Sequence, residues 1–420
     1  MARAASLHFL LLGFLAAPAA AQGFHQRLAV DYARTAADNA ATALDRRLAA
    51  GELDLPAAGP SGRLRAVLRA LTVPESSQML VFSKTSLQRH RISPASPRAL
   101  FFSADAYVGW VPGAAQLEVA VGDARLGLVF YTVAQDAAQP ARFVRDDSCL
   151  SCHASERTDD EPGLVLRSVF PDADGHPITA AGEVDVTLRT ALRDRWGGWL
   201  VTGSAGPHRG NGVARRDERG RYVVVAREAA DLTTFADWFD AAAYPAPHSD
   251  IATLLAFEQQ ATLHNLLIRS SLQMRCLLDN DRAVNGLLGE SGLREQTARV
   301  ADRLAEAIVG ALLFADEAAL GGQVRAAEPA FARDFVAALP VDADGGRLGT
   351  FDLRQRLFTL PLSPMVHAPA FGNLPAPLRD RVLARLRSAL QDGKLPAGCF
   401  LTAAQRRALD RHLQQTLAGY

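Results

Sequence analysis

The spacing of hydrophobic positions changes twice along this chain. In residues 24–50, Leu28, Tyr32, Leu44 and Leu48 recur at near-helical spacing, which predicts a helix that ends at Gly51. A short helix is predicted at residues 64–71. From residue 79 to residue 226 the apolar positions form short runs between turn residues, a pattern typical of strands. These runs predict strands at 79–82, 107–111, 117–121, 127–133, 165–170, 184–188 and 222–226.

From Ser249 onward the pattern is helical to the end of the chain. Ser249 or Asp250 is expected to cap a helix that continues to about residue 278. Further helices are predicted at residues 293–314, 329–339, 377–390 and 402–417. The fold class is therefore predicted to be α+β, with a strand-rich region at residues 22–246 followed by an all-helical region at 247–420. Two separate domains and one merged core both remain open.

The N-terminus has the pattern of a secretory signal peptide. Arg3 precedes an apolar run at residues 7–17, and three alanines at 19–21 provide the small residues of a cleavage site. The apolar run is too short to span a membrane, and no later segment is long and apolar enough to do so. Cleavage before Gln22 would leave 44 basic residues against 45 acidic ones. A net charge so close to zero argues against nucleic-acid binding and against electrostatic binding to membranes.

Residues 149–153 read Cys-Leu-Ser-Cys-His, which is the attachment signature of a c-type haem. Cys149 and Cys152 are spaced to form thioethers with one edge of a porphyrin, and His153 is placed to bind the iron. A disulfide, a thioredoxin-like redox pair and half of a zinc site are the alternatives. The zinc alternative requires a second ligand pair, but Cys276 and Cys399 stand alone. The sequence leaves open whether those two cysteines pair.

The signature and the signal peptide support each other, since haem c is attached outside the bacterial cytoplasm. We therefore expect one covalent haem c in a protein of the periplasm.

The second axial ligand has three candidates. His264 shares an apolar helical face with Phe257 and Ile268, although a buried histidine of the core has the same pattern. His208 lies in a glycine-rich segment, residues 196–211, that would let the backbone approach a flat cofactor closely. Met365 lies between prolines in a loop that could direct its thioether.

The same glycine-rich segment has candidate side chains for haem binding. Trp196 and Trp199 are expected to pack on the porphyrin, and Arg195 and Arg209 to pair with its propionates. The alternative is an ordinary glycine-rich surface loop.

Seven segments carry a family resemblance: residues 76–86, 107–111, 129–132, 149–153, 196–211, 263–265 and 351–358. On these the chain resembles a family of exported bacterial cytochrome c-domain proteins. The resemblance implies a single haem c and a redox role, and it brings no established substrate. In that family the loop ends in His-Met-Gly-Asn, whereas this chain has Arg209 in the methionine position. The family's helix often has a histidine where this chain has Gln259, while His264 matches.

The sequence thus predicts a periplasmic monohaem cytochrome that exchanges single electrons with a redox partner protein or a small-molecule donor or acceptor. The main alternative is a haem enzyme with an open sixth site that acts on peroxide, a nitrogen oxide or another small molecule. A length of 420 residues motivates this alternative, because carrying one electron needs far less protein. A haem-based sensor or docking module is the third hypothesis.

Overall fold

The computed structural model describes residues 23–226 and 232–420, so the predicted signal peptide lies outside the described residues. The strands are β1 (Met79–Val81), β2 (Arg98–Phe102), β3 (Ala106–Trp110), β4 (Gln116–Asp123), β5 (Gly127–Ala134), β6 (Val144–Arg145), β7 (Arg167–Val169), β8 (Glu183–Asp185), β9 (Trp199–Leu200), β10 (Gly212–Arg216) and β11 (Tyr222–Ala226). The helices are α1 (Ala40–Ala49), α2 (Leu64–Ala70), α3 (Leu150–His153), α4 (Ile251–Leu288), α5 (Glu295–Leu312), α6 (Ala330–Ala337), α7 (Pro369–Gly372), α8 (Ala376–Arg387) and α9 (Ala403–Thr416).

A seven-stranded antiparallel sheet dominates the N-terminal half of the described chain. Its strand order is β6-β5-β4-β3-β2-β1-β9, and the pairs β7-β8 and β10-β11 form two small separate sheets. The C-terminal half is helical, with α5 packed against α4 and α8. The α+β prediction is therefore confirmed at this level.

The register of the sheet places a defined set of side chains on one face. Leu100 on β2 is paired with Gly109 on β3, and Gly109 is paired with Glu118 on β4. Because successive residues of a strand point to opposite faces, residues two apart in each strand join these on the same face. This face, called the cavity face below, carries Trp199, Val81, Arg98, Leu100, Gly109, Tyr107, Glu118, Ala120 and Phe130.

The first predicted helix is wrong over its N-terminal part. Residues 24–26 form a short 3₁₀ turn, and the α-helix begins only after Asn39. Asn39 caps it in a reciprocal pair of hydrogen bonds with Thr42, and Asp31 upstream has a φ of 48°, outside the helical region. Leu28 is 79% exposed, so the near-helical spacing there does not reflect a buried face.

The long helix α4 connects the two halves of the molecule. Asp250 caps its first turn, as predicted, and Gly289 ends it in a left-handed conformation, ten residues beyond the predicted end. Residues 251–261 are all buried. Such a helix packs on every side, because no face of it is left for solvent. Accordingly, α4 contributes Phe257 to the core around the sheet and Leu263 to the core among the helices.

Among the described residues, no helix has both the length and the hydrophobicity needed to cross a membrane.

Candidate functional site

A cavity of about 410 Å³ lies against the cavity face of the sheet. This volume falls within the range of about 300–1,000 Å³ that is typical of small-molecule and cofactor sites. Its wall combines the sheet with α3, with the segment around Leu164 and Arg167, and with Phe257 of α4. A wider and more open groove, of about 640 Å³, lies beside Arg356 and Phe400 in the helical half and contains none of the predicted site residues.

The three residues of the predicted attachment signature lie together on the wall of this cavity. Cys149, Cys152 and His153 all line it. Asp146 positions the turn before them, because its carboxylate accepts hydrogen bonds from the backbone N–H and the hydroxyl of Ser148, at 3.0 and 2.6 Å. Both cysteines are free thiols, so no disulfide joins them in this structure.

The environment of Cys149 does not favour thiol redox chemistry. Burial, followed by the nearby carboxylates of Asp146 and Glu118, raises the pKa of the Cys149 thiol to about 11. Redox-active and metal-binding cysteines need the thiolate, which a lowered pKa provides. Within the described residues, the only three-residue group with metal-ligand geometry is Asp172, Asp174 and His176 in a turn away from these cysteines. The structure therefore gives no support to the thioredoxin-like and zinc alternatives.

His153 is held in the protonation state that a metal ligand requires. Its Nδ1 lies 2.8 Å from the carbonyl oxygen of Gly163. A carbonyl oxygen only accepts, so Nδ1 carries the proton and the lone pair of Nε2 is free. Burial is the largest influence on the His153 pKa and lowers it, which keeps the ring neutral. The ring of Phe130 packs beside it, with centroids 4.8 Å apart.

The structure separates the two predicted tryptophans. Trp199 lines the cavity, and its indole N–H donates to the carbonyl oxygen of Arg167 at 2.9 Å. Trp196 is buried outside the cavity lining and packs against His208, with ring centroids 5.2 Å apart.

The two predicted propionate partners do not reach the cavity. Arg195 is buried in an ion pair with Glu258 of α4, at 2.6 Å, so this guanidinium is already engaged. Arg209 pairs with Asp194 at 2.7 Å and lies over the ring of Phe170. Neither arginine lines the cavity.

Three other arginines, which the sequence analysis missed, line the cavity: Arg98, Arg157 and Arg167. Arg98 crosses Gly109 to pair with Glu118 on the cavity face. A Cβ on Gly109 would lie 2.5 Å from the Arg98 guanidinium, so glycine permits this path. Strand β2 was not predicted from the sequence. Had it been, the alternation of its side chains would have placed Arg98 on the same face as Leu100.

Arg157 and Arg167 line the cavity from outside the seven-stranded sheet. Arg157 pairs with Glu183 and with Asp185, and Arg167 pairs with Glu183 at 2.9 Å. Exposed or half-exposed ion pairs of this kind contribute little to stability, so these guanidinium groups can turn to another carboxylate at small cost.

His264 lies behind the cavity wall rather than in it. Its Nδ1 shares a hydrogen bond with the hydroxyl of Tyr107, at 2.7 Å, and Gln260 donates to that hydroxyl at 2.9 Å. Tyr107 lines the main cavity, whereas His264 lines a small cavity of about 20 Å³ next to Asp105. Burial lowers the pKa of His264 to about 4, so its ring is neutral.

The two other candidate ligands also lie outside the cavity lining. His208 accepts a hydrogen bond from the backbone N–H of Gly210 at 3.0 Å, and burial lowers its pKa to about 4. Met365 is buried in the core among the helices. Among the described residues that line the cavity, His153 is the only histidine and there is no methionine.

No family model, no curated protein and no solved structure matches the chain.

Proposed function

We propose that this chain is an exported monohaem c-type cytochrome that exchanges single electrons. The observation that carries the proposal is that Cys149, Cys152 and His153 share one cavity wall, where the bond from Nδ1 to Gly163 leaves Nε2 of His153 free. Two thiols and a neutral imidazole at a largely apolar cavity form the donor set of haem c. The raised pKa of Cys149 argues in the same direction, because it disfavours the other uses of a Cys-x-x-Cys pair.

The residues present fit this cofactor. Cys149 and Cys152 would hold it covalently, and Nε2 of His153 would be the axial ligand. Arg98, Arg157 and Arg167 would pair with its propionates, and Phe130, Trp199 and Phe257 would exclude water from its faces. When bound, haem c supplies one-electron chemistry at its iron. We propose that the protein acts in the periplasm, with a redox partner protein or a small-molecule donor or acceptor.

A second candidate function is supported by one observation. The described lining of the cavity has neither a second histidine nor a methionine, the residues that usually fill the sixth position in electron carriers. An open position would suit a haem enzyme or sensor that binds a small molecule. His264 remains a predicted ligand only if Tyr107 moves from between it and the cavity.

The test is to express the chain with the haem c maturation system and to extract the purified protein with acid acetone. We expect haem to stay on the wild type and on Cys276→Ala, but not on the double variant Cys149→Ala, Cys152→Ala. A wild type without covalent haem would overturn the proposal.

The ferric spectrum then separates the two functions. A low-spin spectrum with no carbon monoxide binding after reduction supports electron transfer, and a high-spin spectrum with carbon monoxide binding supports the second candidate. Spectra of His264→Ala and His208→Ala show whether either histidine is the sixth ligand.

A further inference from the structure

Gly163 holds His153 through two hydrogen bonds. Its backbone N–H donates to the carbonyl oxygen of His153 at 2.8 Å, and its own carbonyl oxygen accepts from Nδ1 of the ring at 2.8 Å. Residues 154–162, called the His153 loop below, connect the two partners. The direction of the His153 ring therefore depends on where the backbone of Gly163 lies.

Asn265 of α4 fixes the backbone directly after Gly163. Its Oδ1 accepts from the backbone N–H of Leu164, and its Nδ2 donates to the carbonyl oxygen of Leu164, both at 2.8 Å. One amide side chain thus pairs with both polar groups of one residue, which leaves that residue little freedom to rotate or slide. Because both hydrogen bonds come from one side chain of α4, the position of the backbone at Leu164 depends on the position of that helix.

The approach of Asn265 is close enough to require glycine at position 163. A Cβ on Gly163 would lie 2.8 Å from Oδ1 of Asn265 and 3.2 Å from the Cβ of Thr158. Gly163 itself is buried, so the side chain could not turn outward. Glycine and asparagine therefore act as one unit that holds the carbonyl oxygen facing Nδ1.

We propose that Asn265 is a positioning residue for the axial histidine: through Leu164 and Gly163 it holds the hydrogen bond to Nδ1 of His153 and so sets the ligand strength of Nε2. This inference rests on the proposed function. A hydrogen bond from the far nitrogen makes an imidazole more basic and orients its ring toward the metal. A stronger donor stabilises ferric over ferrous iron. Weakening the hydrogen bond to Nδ1 of His153 should therefore raise the midpoint potential of the haem iron.

The His153 loop has two further anchors, which provide contrast. Glu161 is buried and accepts from the backbone N–H of His25, at 3.0 Å. Asp159 pairs with Arg269 at 3.1 Å on the surface, one helical turn beyond Asn265. Arg269 pairs with the same loop from the same helix, but through Asp159 rather than through the backbone of Leu164, which makes Arg269→Ala the matched control.

The experiment compares haem-loaded wild type with Asn265→Leu, Gly163→Ala and Arg269→Ala. Leucine keeps the branched shape of asparagine without its hydrogen bonds, and the Cβ of alanine displaces the same segment from the other side. Mutations of such outer partners typically change metal binding by about 10- to 100-fold. In Asn265→Leu and Gly163→Ala we expect the preference for ferric over ferrous iron to fall about tenfold. For a one-electron couple this raises the midpoint potential by about 59 mV. Where the ferrous iron is five-coordinate, as in the second candidate function, its iron–histidine stretching frequency should also fall.

Two results would overturn the inference: a wild-type midpoint potential in both Asn265→Leu and Gly163→Ala, or an equal shift of the potential in Arg269→Ala. If one of the two variants fails to fold, the other decides. A wild type without covalent haem is a different result, because it contradicts the proposed function before any variant is compared.

Discussion

Burial determines the protonation state of the side chains around the cavity. It lowers the pKa of His153 and His264 and raises the pKa of Cys149 and Tyr107. Each of these groups is therefore neutral near pH 7. A neutral imidazole is a ligand and a neutral thiol is not a redox nucleophile, so burial by itself favours cofactor binding over thiol chemistry.

Asp105 provides a test of this effect at a single residue. Burial, followed by the charge of Asp123, raises its pKa to about 7, against about 3.9 in an unfolded chain. Between those values the folded state binds more protons than the unfolded state, so the free energy of unfolding falls as pH rises from about 4 to about 7. Asp105→Asn removes this loss. At pH 8 we expect the free energy of unfolding of the variant to exceed that of wild type by at least about 1 kcal/mol, since one pKa unit corresponds to about 1.4 kcal/mol.

Urea unfolding of wild type and Asp105→Asn at pH 5 and pH 8 measures this difference. Asp54→Asn, at an exposed position, is the control and should follow wild type at both pH values. If Asp105→Asn raised the free energy of unfolding equally at both pH values, the raised pKa of Asp105 would not be the cause.

At the scale of elements, α4 organises the site. It supplies Phe257 to the cavity wall, Glu258 to the buried pair with Arg195, and Asn265 to the segment beside His153. Glu258 and Asn265, seven residues apart, share one face of the helix, and Phe257 lies on a neighbouring face. The position of α4 along its axis therefore affects the cavity.

Asp250 sets the start of this helix. One carboxylate oxygen accepts from the backbone N–H of Ala252 at 2.8 Å, and the other accepts from Ala327 and Glu328 at 2.7 and 2.9 Å. Loss of an N-cap costs about 0.5–2 kcal/mol, and each buried donor left without a partner costs about 1–3 kcal/mol. We expect Asp250→Ala to lower the free energy of unfolding by about 2–4 kcal/mol.

Denaturant unfolding measures this loss, with Asp279→Ala as the control on the same helix. Asp279 is exposed and pairs with Arg282 on the surface, so its removal should cost less than about 1 kcal/mol. Equal losses in the two variants would mean that Asp250 has no special role as a cap.

At the scale of the whole molecule, the two remaining cysteines lie in different cores. Cys276 belongs to the core around the sheet, and Cys399 belongs to the core among the helices. Both are free thiols, each near a backbone carbonyl oxygen, that of Phe24 for Cys276 and that of Gly310 for Cys399. The structure therefore does not pair them, which answers the question that the sequence left open.

This arrangement predicts the number of reactive thiols. Haem-loaded protein, unfolded without reductant and alkylated, should gain two alkyl groups by mass spectrometry, because Cys149 and Cys152 would be thioethers. Reductant should not change that number. An increase of two after reduction would reveal a disulfide between Cys276 and Cys399.

Local features of the fold could be predicted from the sequence. The hairpin of β4 and β5, the cap at Asp250 and most helices after it follow from spacing and from neighbouring polar residues. Strands β2 and β9 were missed, although Pro97 and Gly198 precede them, because β9 has only two residues and β2 shows no alternation of apolar and polar positions. They exist as strands because β1 lies between them and pairs with both.

The sequence by itself determined the Cys-x-x-Cys-His pattern of residues 149–153, because this pattern depends only on spacing along the chain and needs no distant partner. Only the tertiary structure decided what surrounds it. Arg195 is separated from Glu258 by 63 positions, and Leu164 from Asn265 by 101, yet each pair is in contact. Contacts over such separations depend on how the sheet and α4 pack. The sequence alone therefore could not show that Arg98 rather than Arg195 lines the cavity, or that His264 lies behind Tyr107.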